Sequence, residues 1–229
     1  MRIAKATLFT NQLDAMKQFY RERLGFTVIS DHATRFQVAL GEDILCFQQA
    51  STNQKRQYHF AINIPANRFN EAKHWIQSRV PLLTEGGADE IYFKGMDATS
   101  LYFYDADENV VELIARHAVN PMSQSDGFSM GDLLGIAEMS VTTDDPLAVA
   151  RKLSAIPIQR SDGKDVDPDQ LNFLGAPNDD TYLLLVPSGR LWLFSPKKAI
   201  PSPIQLEVEG RIVLNMDEEG RMTVQKRDE

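Results

Sequence analysis

Leu101 to Leu113, LYFYDADENVVEL, reads as a strand, a tight turn and a second strand. Leu101 to Tyr104 is rich in aromatic residues and Val110 to Leu113 in strand formers, while Asp105, Asp107 and Asn109 carry side chains that fold back on their own backbone in turns. Alternation along the second strand sets Val110, Glu112 and Ile114 on one face and Val111, Leu113 and Ala115 on the other. Glu112 therefore shares a face with aliphatic side chains. A carboxylate there needs a cation, a donor or water, because burying it alone is prohibitive. The plainer reading is a Glu at a solvated sheet edge. A second stretch, Tyr58 to Ile64 (YHFAINI), alternates in the same way: Tyr58, Phe60, Ile62 and Ile64 face one side, His59, Ala61 and Asn63 the other. His59 thus lies on a face of small and polar residues, as a cavity wall would.

Both stretches fall inside a repeat. Residues 3 to 9 read as a strand. Asn11 then precedes a helix carrying Leu13, Met16, Phe19 and Tyr20 on one face, Gly25 ends it, and three strands follow through Gln48. Residues 57 to 115 repeat this βαβββ order, with a helix from about Asn67 and strands near Ile91, Leu101 and Val110. One unit cannot cover both faces of its sheet, so the two copies are expected to pair. Residues 118 to 133 are polar and read as a linker. From residue 134 a third, diverged βαβββ-like module follows. Its strand Leu134 to Thr143 leads to a helix entered at Asp145-Pro146, and strands are read at Leu171 to Leu174, Tyr182 to Val186 and Leu191 to Phe194, the last two joined at PSGR. A C-terminal hairpin, Ile204 to Val208 and Arg211 to Met216, with a further strand at Met222, ends the pattern. The expected architecture is α+β: a paired domain over 1–117 forming a cupped mixed sheet, then 134–229 packed separately and helping to close the cup.

Composition narrows the function classes. The 229 residues carry a formal charge of -8 with no compensating Lys/Arg stripe, which argues against nucleic acid. The single Cys46 excludes an intramolecular disulfide, no apolar run is long enough to span a bilayer, and Met1 leads into a strand pattern rather than a signal peptide. A cytoplasmic protein is the expectation.

The segments FYRERLGF (Phe19 to Phe26), YHFAINI and YFYDADENVVEL together resemble the vicinal oxygen chelate superfamily, which includes glyoxalase I, fosfomycin- and bleomycin-resistance proteins and extradiol dioxygenases. The resemblance covers residues 1 to 117 and departs at the turn, with Ala106 for the usual Pro and Glu108 for the usual Gly. It implies a divalent metal, Zn, Mn, Ni or Fe(II), with His59 and Glu112 as ligands. In the first module the matching positions hold Lys5 and Cys46, so Lys5, Cys46 and Tyr102 are expected to line the pocket. Lys5 would oppose a metal, and the alternative is that it pairs with Glu112 and leaves His59 a neutral wall residue. Glu138 lies in the same register as Lys5 and His59, on a strand with Ile136 and Ser140; the favoured reading is a solvated or hydrogen-bonded strand Glu. Two functions follow from the resemblance: a metal-dependent lyase, transferase or dioxygenase acting on a small molecule, or a metal-free module that sequesters an aromatic or cationic compound such as an antibiotic. A homodimer is compatible with either, and a purely structural homodimer scaffold ranks last.

Overall fold

A computed structural model describes residues 1–209 and 211–227 of the chain. The first module comprises β1 (Ile3–Thr10), α1 (Leu13–Gln18), a π-helical continuation over Phe19–Arg23, β2 (Val28–His32), β3 (Arg35–Leu40) and β4 (Asp43–Gln49). The second comprises β5 (His59–Asn63), α2 (Phe69–Gln77), β6 (Ile91–Phe93), β7 (Ala98–Tyr104) and β8 (Val110–Arg116). The third holds β9 (Gly135–Thr143), α3 (Pro146–Leu153), β10 (Asn172–Leu174) and β11 (Tyr182–Pro187), and the chain ends on β12 (Ile204–Val208), β13 (Ile212–Met216) and β14 (Met222–Lys226). Asp145 caps α3, accepting from the Ala148 N–H with Pro146 at the first turn, as its sequence requires. Asn11 does not cap α1: the helix starts after Gln12, without a side-chain cap.

Two seven-stranded mixed sheets result, in the orders β14-β13-β12-β1-β4-β3-β2 and β10-β11-β9-β5-β8-β7-β6. Modules one and two do not pair with each other in one cup. Module one is completed by the C-terminal strands through antiparallel β1–β12, and module two by module three through antiparallel β5–β9. Neither sheet respects a division between residues 117 and 134. In each of the first three modules the first and last strands run parallel, β1 with β4, β5 with β8 and β9 with β11, which demands the helical crossover each contains. The last three strands are a plain antiparallel meander, so they need no helix. The core faces of both sheets and the inner faces of the helices merge into one buried cluster that runs from Ile3 to Met222.

The segment read as a linker is tied down. The Asn120 amide donates to Asn63 Oδ1 and to the Ile64 carbonyl, the Asn67 amide donates to Ser123, and Ser129 with Asp132 forms a capping box. Leu191–Phe194 is not a strand. It is a strap across the second sheet, closed by Trp192 N–H to the Lys197 carbonyl and Ala199 N–H to the Arg190 carbonyl. Its Phe194 sits at φ 58°, a left-handed conformation that costs an L-residue roughly 1–2 kcal/mol and persists only where packing overrides it.

The DADEN turn explains its own departures. Glu108 takes φ 59°, where Gly would be free of strain; its carbonyl accepts from Gln57 and its carboxylate pairs with Lys197, anchoring the strap to the turn. Asp105 is buried and accepts from the backbone of Asp107 and Asn109, the Asn109 amide and the Tyr20 hydroxyl. Burial without a countercharge lifts its carboxyl to about 7 despite these donors. The native state therefore keeps a proton that the unfolded chain gives up near 3.8. Its contribution to stability is full at acid pH and lost as pH rises from about 4 through about 7, by a few kcal/mol at most. In urea titrations from pH 5 to 8, the stability difference between wild type and Asp105→Asn is expected to shift in favour of the variant as pH rises. Parallel pH profiles for the two proteins would refute this.

Candidate functional site

The concave face of the second sheet holds one compact cluster of ligand-capable groups: His59 from β5, Glu112 from β8 and Glu138 from β9, all buried, with one donor atom of each within 4.8 Å of the others. Three neighbouring strands supply them. Ala61 pairs with Glu112 on one side and Glu138 on the other, which brings the two carboxylates together across the central strand. A β-bulge aims Glu138. Ala61 faces Glu138 but Ile62 faces Ile136, so Ala137 is an extra residue; Ile136 then joins the main core, while Ala137 packs with Ala61 and Ile114. Simple alternation, which put Ile136 and Glu138 on one face, misses this.

The local hydrogen bonds fix the imidazole. His59 Nδ1 lies 3.0 Å from the Val110 carbonyl, which can only accept, so Nδ1 carries the proton and Nε2 presents a lone pair 3.5 Å from Glu112 Oε2. Burial lowers the His59 pKa to about 4, so the ring is neutral near neutral pH. Burial raises both glutamates above the ordinary carboxylate range, and for Glu112 the nearby charge of Glu138 adds to it. Arg116, on β8 four residues after Glu112, donates to Glu138 Oε1 at 2.5 Å and stacks over the Tyr182 ring. It is the countercharge of Glu138. Tyr102 lies beside Glu112, and burial followed by the two carboxylates raises its hydroxyl well above the ordinary value, so it stays protonated.

His59, Tyr102, Glu112 and Glu138 line a cavity of about 230 Å³. Its roof is the strap: the Trp192 ring lies 4.7 Å from His59, and Phe194 stacks on Tyr102 at 5.1 Å. Phe93, Met96 and Phe173 separate it from an adjoining groove of about 620 Å³.

Of the residues expected at the site, His59, Glu112 and Tyr102 come together here, and Lys5 and Cys46 do not. Both lie on the first sheet. Lys5 Nζ pairs with Glu207 Oε1 at 3.3 Å, not with Glu112, and Cys46 is buried between Thr7 and Gln37. The physical reason is the sheet partition: Lys5 does occupy in β1 the register of His59 in β5, but β1 pairs with β12. Glu138 is hydrogen-bonded, as favoured, yet it is buried in the cluster rather than solvated. Arg116, Arg190 and Trp192 were not anticipated. Arg116 was legible, since alternation from Glu112 through Ile114 leads to it; Arg190 and Trp192 belong to the segment misread as hairpin.

A family model described as toxoflavin-degrading enzyme matches residues 136–190, the stretch that contains Glu138 and Arg190. No curated protein matches the chain in sequence. Among solved structures, a variant of glyoxalase I from Zea mays superposes with a TM-score of 0.58 at 16% identity, over 97% of this chain and 92% of that one. A presumed dioxygenase from Bacillus subtilis gives 0.57 at 16% identity over 81% of this chain, which spans 63% of that protein. At such identities the likeness is one of fold. No helix among the described residues is long and apolar enough to cross a membrane. With paired βαβββ modules, two curled sheets and these structural relatives, the chain has the fold of the vicinal oxygen chelate superfamily.

Proposed function

We propose that the chain is a metal-dependent enzyme that holds one divalent ion through His59 Nε2 and the carboxylates of Glu112 and Glu138, and acts on a small molecule in the cavity beneath the strap. The observation that carries this is the donor set. One neutral imidazole with its free nitrogen presented, and two carboxylates that burial raises above their ordinary range, Glu138 even with Arg116 beside it, converge within 4.8 Å. Mixed N and O donors suit Zn, Mn, Ni or Fe(II), and three protein ligands leave positions for water or substrate. A bound ion would supply Lewis-acid polarisation of a substrate oxygen or of water.

The remaining groups have definable tasks. Val110 holds the His59 tautomer, Arg116 orients Glu138, and Trp192 and Phe194 keep bulk water from the cluster. Tyr102, held protonated, serves as a hydrogen-bond or proton donor and not as a base. Lyase, transferase and dioxygenase chemistry all remain compatible, and degradation of toxoflavin or a related compound is the specific reading that the family match over 136–190 offers.

One observation favours the metal-free alternative: Arg116 already compensates Glu138. Calorimetric titration of chelator-treated protein with Mn(II), Zn(II), Ni(II) and, without oxygen, Fe(II) separates the two. One equivalent bound by at least one ion is expected. No binding of any of them would leave a sequestering module.

A further inference from the structure

The cavity contains more binding capacity than a metal cluster uses. Arg190 lines it, half-buried, close enough to His59 to act on its charge, and its guanidinium donates from Nη1 to the neighbouring Leu191 carbonyl. Among the described residues no carboxylate lies within ion-pair distance of it, although the chain as a whole is acidic. Beside it, Trp192 is 4% exposed and its indole N–H is buried without a partner. A buried donor left without a partner is unfavourable, and the Arg190 guanidinium, with five donors in a fixed fork, has further hydrogen bonds to offer a ligand. Both sit on the strap, above His59 and Glu112. The apolar part of the wall includes the rings of Phe93 and Phe173 beside Leu171 and Leu184.

We infer that Arg190 and the Trp192 indole N–H form a specificity subsite for an anionic or carbonyl-rich edge of a flat aromatic ligand. Charge counting with a bound ion points the same way. Among the described residues the carboxylates lining the cavity are Glu112 and Glu138, and Glu138 is already matched by Arg116. A divalent ion with Glu112, Glu138, Arg116 and Arg190 sums to a positive site. A cationic ligand, one of the compound types expected from sequence, would face Arg190. The inference rests on this cavity being the ligand site but not on the metal.

The test uses 2-naphthoate, 2-naphthylmethylammonium and neutral 2-methylnaphthalene as probes, titrated into chelator-stripped protein and into Mn(II)-treated protein. Naphthoate is expected to bind tightest in both. Arg190→Met should weaken it by about tenfold or more, the loss of a charge-assisted hydrogen bond, while 2-methylnaphthalene, which has no group for the guanidinium, should lose no affinity. Arg190→Lys should restore part of the loss, and Trp192→Phe, which keeps the ring and removes the donor, should weaken naphthoate severalfold. Naphthoate binding no more tightly than the ammonium probe, or equally well to wild type and Arg190→Met, overturns the subsite. Failure of Mn(II), Zn(II), Ni(II) and Fe(II) all to bind overturns the metal reading instead, since the stripped-protein titrations decide the subsite by themselves.

Discussion

Glu138→Gln is expected to weaken Mn(II) or Zn(II) binding by about a hundredfold or more, comparable to His59→Ala and Glu112→Gln and beyond the tenfold to hundredfold typical of outer-shell changes. Gln keeps an oxygen for Arg116 and nearly the same volume, so the loss reports the ligand charge more than packing. Lys5→His and Cys46→Ala, both on the first sheet, should leave metal affinity unchanged. Placing a His at position 5 would not complete a metal site, because the residue that joins His59 and Glu112 comes from β9 and not β1. Circular dichroism on each variant checks folding. Unaltered metal affinity in a folded Glu138→Gln protein would remove Glu138 from the ligand set.

Residues 1–117 expressed alone are expected to be largely unfolded or insoluble, and to regain structure when mixed with 118–229. Cutting there strips β1 of its antiparallel partner β12 and β5 of its partner β9. It exposes two sheet edges in the middle of a shared core, and unpaired edges of that kind aggregate. The joining segment also packs on Asn63, Ile64 and the entry to α2, so native proteolysis within 118–133 should be slow. A soluble, cooperatively folded 1–117 fragment would show that the modules are separable despite the sheet topology.

Local pattern and long-range pairing separate what could be read from the sequence. Alternation placed His59 and Glu112 on one face, and the Asp105 turn and the Asp145-Pro146 helix entry were visible in side-chain chemistry alone. The register argument that singled out Lys5, His59 and Glu138 was sound, since all three lie on first strands of their modules. What it could not supply was which first strands meet. Modules one and two present similar edges, and the choice of β12 for β1 and β9 for β5 is made by the merged core over the whole chain. The strap was lost for a different reason. Leu191, Trp192, Leu193 and Phe194 have the composition of a buried strand, yet Leu191 is 55% exposed and Phe194 is left-handed, so tertiary packing overrode β propensity.

The measurement that bears most directly on the metal centre is a crystal structure of Mn(II)-treated protein with diffraction collected at the manganese edge. The expected result is a single anomalous peak bounded by His59 Nε2 and carboxylate oxygens of Glu112 and Glu138, with Lys5 and Cys46 remote from it. A map with no peak in that cavity, or with manganese bound elsewhere, would contradict the assignment.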